Sequence, residues 1–145
     1  MEGDGDVAGA IVVTTTKMPA LVFKYEVTWV SDASGNVSGN TFPLKSGTII
    51  AVEFVPGSGA LAPTDLHDID CTDAEGVTIF DDGSGTSIGA NLSGTVASHK
   101  VPLVGLVGVT IYRRWHHGGP VELDVSGAGD SNAGTVNIYI AEGIL

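Results

Sequence analysis

The sequence predicts an all-β domain: an antiparallel β-sandwich of jelly-roll-like or immunoglobulin-like type, or a β-barrel. Three observations lead there. Short runs rich in Val, Ile and Thr recur at roughly ten-residue spacing, about eight or nine of them, with Gly, Asp, Asn, Ser or Pro between. Glycine numbers 21 in 145 residues, about twice the usual share of roughly 7%, which in this setting means many tight turns. No stretch carries the apolar stripe of a helix, and no repeat of fixed period marks a solenoid or propeller.

Met1 to Gly9 is a Gly/Asp segment with little to pack and is expected to form a flexible acidic arm, leaving residues 10–145 as a single β domain. Ala10 to Thr16 is a β-branched run. Pro19 separates it from the clearest strand, Leu21 to Val30, where Leu21, Phe23, Tyr25, Val27 and Trp29 alternate with Val22, Lys24, Glu26, Thr28 and Val30. Ser31 to Asn36 reads as a turn, because Asp and Ser bond local backbone and Gly-Asn tolerates positive φ. Val37 to Lys45 is expected to return antiparallel, with Pro43 placing it at a sheet margin. Thr48 to Phe80 reads as an acidic β-meander: Thr48 to Val55, a break at Pro56-Gly57, Leu66 to Thr72, an Asp-Ala-Glu-Gly turn, then Val77 to Phe80. Gly83 to Ser98 has few large apolar residues and is expected to be a long surface loop. His99 to Val104, Val107 to Trp115, Val121 to Val125 and Thr135 to Ile140 complete the strands, with Val136, Ile138 and Ile140 facing the core.

A chain of this length makes one domain that buries roughly 68–70% of its unfolded surface, so it needs no disulfide staple. The net charge of −11, from 17 acidic and six basic residues, repels phosphate backbones and argues against nucleic-acid binding. Cys71 lies in an alternating pattern and reads as a small buried hydrophobe. The N-terminus MEGDGD is acidic where a secretory signal is basic. No apolar run approaches the roughly 18 residues of a membrane span.

Asp65, Asp68, Asp70, Asp73 and Glu75 invite a calcium reading, but their spacing departs from an EF-hand loop. On a strand Asp68 and Asp70 share a face, which is most simply solvated. Asp81-Asp82-Gly83-Ser84-Gly85 is ordinary turn chemistry. His116 and His117 would point to opposite faces of a strand and chelate poorly, and nothing brings His67 or His99 to them. They are expected as exposed polar tips or as part of an interface. Tyr112, Arg113, Arg114, Trp115, His116 and His117 form the basic cluster of an acidic chain, and Trp, Tyr and Arg are residue types that anchor protein contacts. No nucleophile elbow, HExxH, P-loop or Rossmann motif is present. The scarcity of aromatics (6%) speaks against a sugar cleft. The reading is non-enzymatic, with no cofactor and no metal.

Three segments carry a resemblance: TWVSDASGNVSG from Thr28, APTDLHDIDCTDAEGVTIF from Ala62 and VSGAGDSNAGTVNIYI from Val125. Together they resemble small virion proteins of tailed bacteriophages, over most of Lys17 to Ile140. No catalytic residue belongs to the pattern. The resemblance implies a head decoration or cement protein that is made in the host cytoplasm, binds the major capsid protein on the outside of the shell, and forms an oligomer, a trimer being favoured. The arm would order on binding. Alternatives are a carbohydrate- or cation-dependent module on a virion appendage, using the Asp65 to Glu75 or Asp81-Asp82 region, and a tail-tube or head–tail connector subunit.

Overall fold

The computed structural model of the chain describes residues 9–64, 67–76, 78–81, 99–102, 104–107 and 110–142. Within them the strands are β1 (Ala10–Met18), β2 (Val22–Val30), β3 (Thr41–Leu44), β4 (Gly47–Pro56), β5 (Asp68–Asp73), β6 (Thr78–Asp81), β7 (His99–Pro102), β8 (Val104–Val107), β9 (Thr110–His116), β10 (Gly119–Ser126) and β11 (Ala133–Ala141). Single 3-10 turns occupy Pro19–Leu21 and Gly59–Leu61. No helix among the described residues is long and apolar enough to cross a membrane.

The strands form two antiparallel sheets that do not close into a barrel, so the sandwich is the architecture adopted. The seven-stranded sheet has the order β1-β2-β11-β4-β9-β8, with β7 also paired to β4, and the four-stranded sheet has the order β3-β10-β5-β6. Period-2 alternation supplies both inner faces. Tyr25, Val27 and Trp29 of β2, Ile49, Val52 and Phe54 of β4, and Val136, Ile138 and Ile140 of β11 enter one core. They meet Phe42, Leu44, Ile69, Cys71, Val121, Leu123 and Val125 of the smaller sheet. Tyr25 and Phe42 touch across the layers, ring centroids 6.4 Å apart. Of the strand face anticipated from Leu21 to Trp29, Leu21 itself falls outside the core, half exposed in the 3-10 turn.

Two pairings differ from the sequence expectation. β3 does not return against β2 but pairs with β10 in the other sheet, at the edge that Pro43 suits, where it faces Pro120. Thr48 to Phe80 is no meander: β4 lies in the larger sheet, whereas β5 and β6 form a hairpin in the smaller. The connection through Gly57 to Thr64 therefore changes layer. Within β4 the run Ile49-Ile50-Ala51-Val52 breaks strict alternation, because Ile140 pairs with Ile49 and Tyr139 with Ala51. Ile50 is the extra residue of a β-bulge, and both Ile49 and Val52 thereby face the core.

One end of the sandwich is tied by three turns. Ser31, fully buried, donates its backbone N–H to Asn132 O (2.8 Å) and its hydroxyl to Gly129 O (2.6 Å), and accepts the N–H of Asn132 at Oγ (3.0 Å). Asp32 Oδ1 accepts the N–H groups of Ser34 and Asn36, each at 2.9 Å. Ala128 N–H donates to Gly35 O (3.0 Å), and Thr64 N–H to Ala128 O (2.9 Å). Gly35 (φ +86°) approaches so closely that a Cβ there would stand 2.6 Å from Gly129 N. Of the anticipated N-terminal arm only Gly9 is described. It is packed, its carbonyl accepting from Asn40 Nδ2 at 2.9 Å and its Cα facing the Asn36 backbone.

Candidate functional site

The opposite end of the sandwich gathers residues that are distant in sequence. β4 pairs by its last residues with the start of β11, beside the three turns, while its first residue Gly47 pairs with His116 at the end of β9. The chain then crosses through His117 and Gly118 into β10 of the other sheet. In that sheet Asp73, the last residue of β5, stands opposite Val121. The β5–β6 turn and the β9–β10 crossover thus meet at one rim.

The turn is fixed locally. Asp73 Oδ1 accepts the N–H of Glu75 (2.9 Å), Gly76 N–H donates to Asp73 O (3.0 Å), and Gly76 takes a φ of +82°. The crossover turns on two further glycines, Gly118 (φ +93°) and Gly119 (φ +119°). These two turns bring one donor atom each from Asp73, Glu75 and His117 within 4.8 Å of one another. His117 Nε2 lies 4.0 Å from Glu75 Oε2, both side chains 62% exposed.

His116 does not form the exposed tip expected of it. It is 3% exposed, and its ring stacks on that of His117 with centroids 5.3 Å apart and an interplanar angle of 26°. The expectation of opposite faces fails because the strand ends at His116, so His117 is free of the two-residue period. Nε2 of His116 is buried and finds no hydrogen-bond partner among the described residues. Burial holds the imidazole pKa below its ordinary value. Backbone groups of Gly119 and Leu44 oppose the shift, and His117 adds to it.

A second concentration of charge lies on the outer face of the smaller sheet. Asp124 on β10 pairs with Asp70 on β5, both half-buried. Burial, then a hydrogen bond and repulsion from Glu122, then repulsion from Asp70, push the Asp124 carboxyl up to about 7. Glu122 moves the other way, held below its ordinary value by hydrogen bonds from Asp124 and from the Gly39 N–H, the latter at 3.2 Å. Behind this face Cys71 is fully buried, as its alternating context predicts, and burial together with Asp70, Asp124, Asp73 and Glu122 raises its thiol far above the ordinary range.

Asp68 and Asp70 share the solvent side of β5, as anticipated, with Ile69 and Cys71 on the core side. Asp73 and Glu75 separate from them and join His117, a grouping that needs the β9–β10 crossover to be known. His67 belongs elsewhere: it is buried against Trp29, ring centroids 5.9 Å apart, with Nδ1 2.9 Å from Thr64 O. Tyr112, Arg113, Arg114 and Trp115 lie in β9, between β4 and β8, within the strand expected over Val107 to Trp115. Their side chains fall outside the described part of the molecule. So do Asp65, Asp82 and the Gly83 to Ser98 segment. Compared with known proteins, the chain matches no family profile, no curated protein and no solved structure.

Proposed function

We propose that the protein is a structural component of a tailed-phage particle, and that it decorates the outside of the capsid shell and reinforces it. One observation carries this reading. Parts of the three segments that carry the resemblance come together in space. The Ser-Asp-Ala-Ser-Gly turn after Trp29, the Pro63-Thr64 segment and the Gly127 to Asn132 turn are the three segments hydrogen-bonded at one end of the sandwich. These parts of the pattern therefore hold the fold together rather than being scattered composition. Its polar side chains are engaged in turns: Ser31, Asp32 and Asn132 all bond backbone groups. A motif used for packing suits a protein whose work is architectural.

A net charge of −11 keeps such a subunit soluble before assembly. On a shell, many weak contacts add through multivalency, and a trimer would strengthen each attachment without new contacts. The test is to mix the purified protein with preformed expanded shells of its phage. Co-sedimentation and a higher melting temperature of the decorated shell are expected. Absence of binding would overturn the reading, and assembly of the free protein into rings or tubes under the electron microscope would replace it with a tail or connector role.

A further inference from the structure

We propose that Asp73, Glu75 and His117 form a binding site for a divalent transition-metal ion of the zinc class, and that the bound ion clips the β5–β6 turn to the β9–β10 crossover. The donor set is one imidazole and two carboxylates. Zinc accepts this combination with the remaining position left to water, whereas calcium prefers six to eight oxygens and has little use for an imidazole.

The spacing fits as well. Donor atoms around a tetrahedral ion at ordinary zinc distances stand about 3.4 Å apart. Here they already lie within 4.8 Å, with the Glu75–His117 pair at 4.0 Å. Closing the difference takes about an ångström of movement, which the exposed Glu75 and His117 side chains can make without disturbing the core. Asp73 is held still by its own turn, so a firm ligand and two adaptable ones share the site.

His116 supplies an observation independent of the carboxylates. It is 3% exposed, stacked on His117, and its Nε2 has no hydrogen-bond partner among the described residues. Its buried ring backs the exposed ring of His117. The stacked ring also restricts the orientation of His117, as outer partners of metal-ligating histidines commonly do. The site joins the turn of one sheet to the connection between both. An ion there would therefore oppose separation of the layers at the end that lacks the three hydrogen-bonded turns.

The experiment is a thermal melt of the untagged full chain with zinc chloride, with calcium chloride in parallel, followed by EDTA. Zinc is expected to raise the midpoint saturably, by roughly 5–10 °C at a hundredfold excess over the dissociation constant. EDTA should reverse the rise, and titration calorimetry should give one ion per chain. His117→Ala and Glu75→Gln change exposed side chains, so the metal-free midpoints should stay at the native value while zinc affinity falls at least tenfold in each. No shift with zinc would overturn the proposal. So would a shift of equal size in both variants, or a larger response to calcium than to zinc.

Discussion

Gly134 of β11 stands opposite Trp29 of β2, and the indole lies across it: a Cβ at position 134 would sit 2.7 Å from Cζ2, 2.9 Å from Cε2 and 3.1 Å from Nε1. The absent side chain is the space the indole occupies. Trp29 is 1% exposed, and the small space beside it, bounded by Phe54, His67 and Ile69, has no room for a water, so the ring has little freedom to retreat. Gly134→Ala should therefore destabilise the fold by about 1–3 kcal/mol, the usual cost of forcing extra volume into a packed core. Urea unfolding checks this: the midpoint should fall with the slope unchanged, and an unaltered midpoint would show that the ring can move.

Ser31 is the hub of the three-turn end, donating to Gly129 O at 2.6 Å and receiving the Asn132 N–H at 3.0 Å. Replacing it by alanine removes both bonds in a buried place and leaves the Asn132 amide without this acceptor. Ser31→Ala should cost about 1–3 kcal/mol. Ser34→Ala, at an exposed position of the same turn, should stay within about 0.5 kcal/mol of the native protein. Comparing their denaturation midpoints separates loss of the buried hub from loss of turn propensity, and equal effects would refute the hub role.

Local pattern made the strands and their inner faces legible. Tyr25, Val27 and Trp29, and again Val136, Ile138 and Ile140, alternate because each sheet has one dry face, and all are buried. Pro43 gave the edge because a central strand needs its N–H. Partner choice was not legible. Nothing near β3 says that it pairs with β10 rather than β2, since that choice depends on packing between segments far apart in sequence. The candidate site was hidden for the same reason. In the sequence Asp73 and Glu75 group with their acidic neighbours, and His117 with His116, while the structure groups the three across the crossover. Alternation does not place the two histidines, because the two-residue period stops at His116, the end of β9.

Asp124 and Asp70 are direct cross-strand partners, and Glu122 lies two residues before Asp124 on the same face. Asp68 follows on β5 opposite Ser126, Asp81 pairs with Asp70 from β6, and β3 offers the uncharged Thr41 opposite Glu122. Burial first, then the hydrogen bond and repulsion from Glu122 and repulsion from Asp70, raise Asp124 from 3.8 to about 7. The folded state therefore binds this proton more tightly than the unfolded chain, and stability falls as pH rises from about 4 to about 7. Glu122, held below 4.5, has the opposite sign; its contribution is present above that value and is lost as pH falls through the folded pKa. His116, held below 6.5, likewise favours the folded state at higher pH, but it is common to native and variant proteins and cancels in their difference. Asp124→Asn keeps a donor toward Glu122 and removes the charge. It should melt higher than the native protein above about pH 7, with the advantage shrinking as pH falls toward about 4. Melting temperatures of both proteins across that range decide the matter, and a difference that does not vary with pH would show that Asp124 ionises like an ordinary surface carboxylate.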